Sequence, residues 1–123
     1  MSYQIITRMS YNAATRCIDT WQHSNNVWPR HDHFHALDVS TDERMFKFIR
    51  FIADGAWQTR KWRREFNTLF NEYPELRMDS YQHELSATSS WKEYCAVHRK
   101  YEELAESKMG EITARFRQLA KIG

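Results

Sequence analysis

The chain has 123 residues, 41% hydrophobic and 15% aromatic, with three glycines and two prolines. That composition excludes collagen-like, low-complexity and disordered classes and predicts one folded domain over residues 1–123. Eighteen Lys and Arg against sixteen Asp and Glu leave a formal charge of +2, too small to imply a nucleic-acid partner without local clustering.

Residues before Ser10 carry no decisive period. From Ser10, a residue type that caps helices, Ala14, Cys17, Ile18 and Trp21 recur at spacings of three and four and predict a first helix to about Gln22. Ser24 to Val39 then reads as an irregular connection of about 16 residues, which is long for a small domain and therefore a candidate functional element. Within it, Pro29 restricts Trp28 to extended geometry. A second helix is expected to start near Ser40 or Thr41, where Ser40 and Glu43 have capping-box spacing and Asp42 complements the helix dipole. Met45, Phe48, Ile49, Ile52 and Ala56 form its apolar face, Lys47, Arg50 and Asp54 face water, and Gly55 can end it.

A third segment, about Gln58 to Glu72, sets Trp62, Phe66, Leu69 and Tyr73 in one stripe and stops before Pro74. The last, about Ser90 to Ala120, predicts a helix of about 30 residues and about 45 Å. Gly110 is its weak point; the first half is expected to pack on the domain and the second to overhang, with homodimerisation through this helix as one use of the stripe. The fold class expected is therefore mainly α: a small bundle of about four helices with a long C-terminal helix and a His-rich loop between the first two.

Chemistry is densest at His31, His33 and His35, which would point to one side of an extended segment at period two. With Asp38 as a carboxylate they suggest a zinc or other transition-metal site and, as a second alternative, a metal-dependent hydrolase. No distant fourth ligand has motif spacing, and His98 on an apolar helical face reads as a hydrogen-bonded core histidine, so no cofactor is expected. Cys17 and Cys95 sit on apolar stripes without disulfide or catalytic spacing and read as reduced thiols. No GxSxG elbow or Gly-rich phosphate loop occurs, and an enzyme is the less expected class.

Arg60, Lys61, Arg63 and Arg64 make the one concentrated cationic run, and Trp57 joins their face if the helix extends back through Gly55. Phosphate contact with base stacking makes nucleic-acid binding the first alternative function. The leading expectation is a non-enzymatic binding or regulatory protein whose partner is another protein, anchored by Trp28, Phe34, Trp57 and Tyr81 together with the basic run. Small binders of this kind are common among viral and mobile-element accessory proteins that inhibit or redirect a host machine. Neither a signal peptide nor an apolar run long enough to span a bilayer is evident, so a cytoplasmic protein without a membrane partner is expected.

Overall fold

The computed structural model describes residues 4–123, with Ala56 described through its backbone alone. Three strands open the chain: β1 (Gln4–Asn12), β2 (Cys17–Ser24) and β3 (His33–Asp38). They form an antiparallel meander, and a two-residue strand, β4 (Ala56–Trp57), adds in parallel to β1, giving the order β3-β2-β1-β4. The helices are α1 (Asp42–Asp54), α2 (Arg63–Glu72), α3 (Gln82–Ser86), α4 (Trp91–Ser107) and α5 (Met109–Ala120), with 3-10 turns at Pro74–Leu76 and Met78–Tyr81. The architecture is thus α+β, which corrects the expected helical bundle.

The correction begins at Ser10–Gln22, which is most of a hairpin instead of a helix. Asn12 starts its turn: the Asn12 side-chain oxygen accepts from the Ala14 and Thr15 amides, and the Arg16 amide donates to the Asn12 carbonyl at 2.8 Å. Arg16 adopts φ 57°, in the left-handed region, so the chain makes one helical turn and reverses. Ile18, Thr20 and Gln22 then point to one side of β2 at period two and are all buried. Two of these three are polar, satisfied by a 2.7 Å bond from Gln22 to the Thr20 hydroxyl and a 3.1 Å bond from that hydroxyl to the His35 carbonyl. Buried hydrogen-bonded polar residues erase the apolar alternation that announces a strand.

The supposed irregular connection is likewise half strand. Its first part closes over the hairpin end through Asp32, which lies 3.0 Å from His23 Nδ1 and 3.2 Å from the Thr7 hydroxyl. Thr7 is the extra residue of a bulge in β1 between Ile6 and Arg8. The chain then pairs with β2 as β3, from His33 opposite Gln22 to Asp38 opposite Cys17.

The helical expectations fare better from Thr41 onward. Thr41, and not the Ser40 of the expected capping box, is the N-cap of α1, its hydroxyl accepting from the Arg44 amide at 3.2 Å. Met45, Phe48, Ile49 and Ile52 are buried against Ile6, Met9 and Ile18 of the sheet. Gly55 ends α1, and a Cβ added there would stand 2.8 Å from the Phe51 carbonyl oxygen. Gly55→Ala should therefore destabilise the fold by about 1–3 kcal/mol through forced displacement of backbone, read as a lowered urea midpoint; an unchanged midpoint would show that the α1 terminus yields freely.

The third helix begins at Arg63 and not near Gln58, yet Trp62, Phe66, Leu69 and Tyr73 are all buried, as their spacing predicts. The C-terminal segment is not one helix but two. The break falls at Lys108, whose ammonium reaches the buried carboxylate of Glu75 at 3.2 Å, two residues before Gly110. It is α5, the half expected to overhang, that packs deepest: Ile112, Thr113 and Phe116 are fully buried against α1 and α2. In α4 only Ala105 is fully buried.

Tyr73 locks α2 to α5 by donating to Glu111 at 2.6 Å, and that bond, with the desolvation and negative charge around it, pushes the phenol up to about 12. Its folded value lies above its unfolded one, so the stabilisation is fully present below the ordinary tyrosine range and is lost as pH rises through about 12. The stability difference between the natural chain and Tyr73→Phe should shrink between pH 10 and 12 in urea titrations. A difference that stays constant across that interval would mean the bond does not set the phenol's ionisation.

Candidate functional site

β3 ends the sheet on one side, and that edge is built to remain open. The Val39 amide donates to the Arg16 carbonyl at 3.0 Å, which makes Arg16 and Val39 a hydrogen-bonded pair just beyond the ladder. Antiparallel alternation then directs the N–H and C=O groups of His33, His35 and Leu37 toward β2, and those of Phe34 and Ala36 toward the free edge. From His33 to Ala36 the side chains are exposed on both faces. None of these residues is Lys or Pro, the types that commonly blunt such an edge.

Beside this edge, α1 and β3 enclose an open groove of about 560 Å³. Leu37, Phe48 and Phe51 give it an apolar floor, and Glu43, Arg44 and Lys47 stand on its α1 wall. Asp38 is occupied: it accepts from the Ser40 amide at 2.8 Å and pairs with Arg44 at 3.4 Å. The Ser40 bonds first, then the nearby Arg44 and Arg16, hold its carboxyl below the usual carboxylate range despite some desolvation. Lys47 is exposed and has no carboxylate partner among the described residues. Among the described residues the groove thus offers one row of free backbone groups, an apolar floor, and the unpaired charges of Lys47 and, one turn earlier, Glu43.

On the face of the sheet away from the helices, a row crosses three strands. The Arg8 guanidinium lies 4.3 Å from the Trp21 ring centre, and Trp21 meets Phe34 edge-on at 5.2 Å. Phe34 stays 55% exposed, and Trp28, on the loop leading into β3, is 90% exposed. Of these two expected anchors, Phe34 lies on the edge strand itself and Trp28 in the loop before it.

The other two are placed differently. Trp57 lies in β4, half-buried, its ring 5.0 Å from Phe66, with its Nε1 buried and without a partner among the described residues. It does not share a helical face with the basic run, because the chain leaves helix at Gly55. Tyr81 is 5% exposed, stacked on Tyr101 at 4.2 Å, with its hydroxyl 2.9 Å from His98 Nδ1. His98 in turn lies 2.8 Å from Glu102, so it is hydrogen-bonded as expected but half-buried and not part of the core.

Arg60, Lys61, Arg63 and Arg64 are exposed around the start of α2. The N-cap, Trp62, has φ 56°, and this left-handed residue buries its indole edge-on to Phe116 at 5.8 Å while its neighbours face outward.

His33 and His35 share the helix-facing side of β3, whereas His31 precedes the strand. Asp38 belongs to the opposite parity and is bound to Ser40 and Arg44, so it does not join them. Among the described residues, no three His, Cys, Asp or Glu side chains are grouped to share a metal ion. Cys17 and Cys95 are free and half-buried. No helix among the described residues is long and apolar enough to cross a membrane.

Sequence reasoning missed the groove itself. Lys47 was legible as a solvent-facing residue of the second helix, but its neighbour across the groove required knowing that His33–Asp38 is a strand. No protein-family model, curated protein or solved structure matches this chain.

Proposed function

We propose that this chain is a non-enzymatic binding protein that captures an extended segment of another protein by adding it as a strand beside β3. The observation that carries this reading is the coincidence of a free backbone edge at Phe34 and Ala36 with the adjoining groove against α1. Strand addition uses main-chain hydrogen bonds for affinity and side-chain pockets at alternate positions for choice. Here, alternate side chains of the added strand meet the Leu37 and Phe51 floor, and the intervening ones pack beside Phe34. Unpaired Lys47 favours a carboxylate on the incoming segment. The expected ligand is therefore an extended peptide with an apolar residue near Asp or Glu.

Such a protein regulates by occupancy: it inhibits or redirects the partner whose segment it holds, in keeping with a cytoplasmic accessory role. The test is selection from a display library of randomised twelve-residue peptides. Enrichment of apolar-acidic alternation is expected, and Lys47→Glu should convert the acidic preference to a basic one. Enrichment of peptides that bind equally well to the natural chain and to Lys47→Glu would place the site elsewhere.

A further inference from the structure

A second surface, separate from the β3 groove, runs along the outside of α2. Arg60, Arg63 and Arg64 converge on one shallow depression, whose floor continues over Asn67 and Asn71. The same two asparagines line the adjoining depression that ends at Arg77, so the two make one furrow with guanidinium groups at both ends.

The charge state of this furrow separates it from an ordinary solvated helix face. Ion pairs elsewhere engage Arg30, Arg44, Arg50, Lys100, Arg115 and Arg117. Among the described residues, Arg60, Lys61, Arg63 and Arg64 have no carboxylate within ion-pair distance. Arg63 reaches only the Gln58 carbonyl at 3.4 Å, and the Lys61 ammonium lies 5.0 Å from the Trp62 ring centre. Glu65 lines the depression as its one acid, and at the far end Arg77 pairs with Asp79 at 3.3 Å. Three unpaired arginines, Arg60, Arg63 and Arg64, thus line the depression with one acid, beside amide side chains that both donate and accept.

We propose that this furrow binds the sugar–phosphate backbone of single-stranded nucleic acid. Guanidinium forks match phosphate oxygens in pairs, and amide side chains bond sugar and phosphate oxygens without reading a base. The ten residues of α2 span roughly 15 Å, room for a short run of nucleotides. A flexible single strand can bend its phosphates onto guanidinium groups set along one short helix, whereas the phosphates of a rigid duplex keep fixed positions. No aromatic ring projects from the furrow: Phe70, beneath Arg77, is buried, and Trp57 packs against Phe66. Base stacking is therefore no part of the interaction, and sequence preference is weak.

The test is fluorescence anisotropy of a labelled twenty-residue oligothymidylate with the full chain. Three phosphate contacts predict a log–log salt slope near −2, or about 15-fold weaker binding between 50 and 200 mM salt. R60E/R64E should weaken binding at least tenfold, and so should N67D/N71D, which leaves every cation in place. K92E/K121E, an equal charge change at exposed lysines elsewhere, should stay within twofold. Circular dichroism confirms that each variant is folded. The proposal is overturned by absent binding at 50 mM salt, by an equal loss in K92E/K121E, or by duplex DNA or polyglutamate competing as well as oligothymidylate. Because Ala36 lies outside the furrow, A36P should leave this binding unchanged, so its outcome is independent of the peptide groove.

Discussion

Phe66→Ala should destabilise the protein by about 3–5 kcal/mol, the largest effect expected of any single substitution. The ring is fully buried and meets four others, Phe48 at 6.0 Å, Trp57 at 5.0 Å, Phe70 at 5.7 Å and Phe116 at 4.7 Å. Those partners come from α1, β4, α2 and α5, so removal leaves a cavity that no single element can close by shifting. Domains of this size are stable by about 5–15 kcal/mol, and the loss is a large share of that. Urea unfolding followed by far-UV circular dichroism reads it as a fall in midpoint at constant slope. A loss below about 1.5 kcal/mol would mean that the aromatic cluster collapses around the gap and that α5 is not held through this ring.

The second large effect concerns binding rather than folding. Ala36→Pro removes an N–H that faces the free edge, so β2–β3 pairing is retained, and proline is tolerated on edge strands for this reason. An added strand, however, loses the bond from that N–H and keeps a desolvated acceptor opposite the ring. Together these cost about 2–3 kcal/mol, roughly a 30- to 150-fold loss of affinity for selected peptides. Leu37→Pro is the informative counterpart, because its N–H points to β2: it should lower the melting temperature where Ala36→Pro does not. Equal peptide affinity of the natural chain and Ala36→Pro would show that the peptide is held by side chains alone.

The helical half of the fold was legible because its signals are local. Thr41 and Ser90 cap the helices they precede, each accepting from the amide three residues on. The stripe of Trp62, Phe66, Leu69 and Tyr73 lies in the core at the period read from the sequence. The sheet was hidden by two physical circumstances. In β2 the buried face carries Thr20 and Gln22, satisfied by hydrogen bonds that a hydropathy pattern cannot register. In β3 both faces are exposed over His33–Ala36, so no alternation exists to be seen. Meanwhile Ala14, Cys17, Ile18 and Trp21 imitate a helical stripe, although one turn after Asn12 is all the helical geometry they make.

The reversal of the C-terminal halves has a similar cause. Both α4 and α5 carry an apolar stripe, and sequence does not say which stripe finds a partner. α5 meets α1 and α2 because the break at Lys108, tied to buried Glu75, turns it back onto the core. Of the expected anchors, Trp28 and Phe34 are exposed, Phe34 on the edge strand, while Tyr81 belongs to a buried contact with Tyr101 and His98. An exposed aromatic and a core aromatic read alike when their surrounding turns are irregular.

The most direct test of strand capture is amide hydrogen exchange, read by NMR, on the chain with and without a selected peptide. Strand capture predicts at least tenfold slower exchange at Phe34 and Ala36 on peptide addition, with little change at His35 and Leu37, whose amides already bond β2. Tight peptide binding that leaves Phe34 and Ala36 unprotected would contradict it.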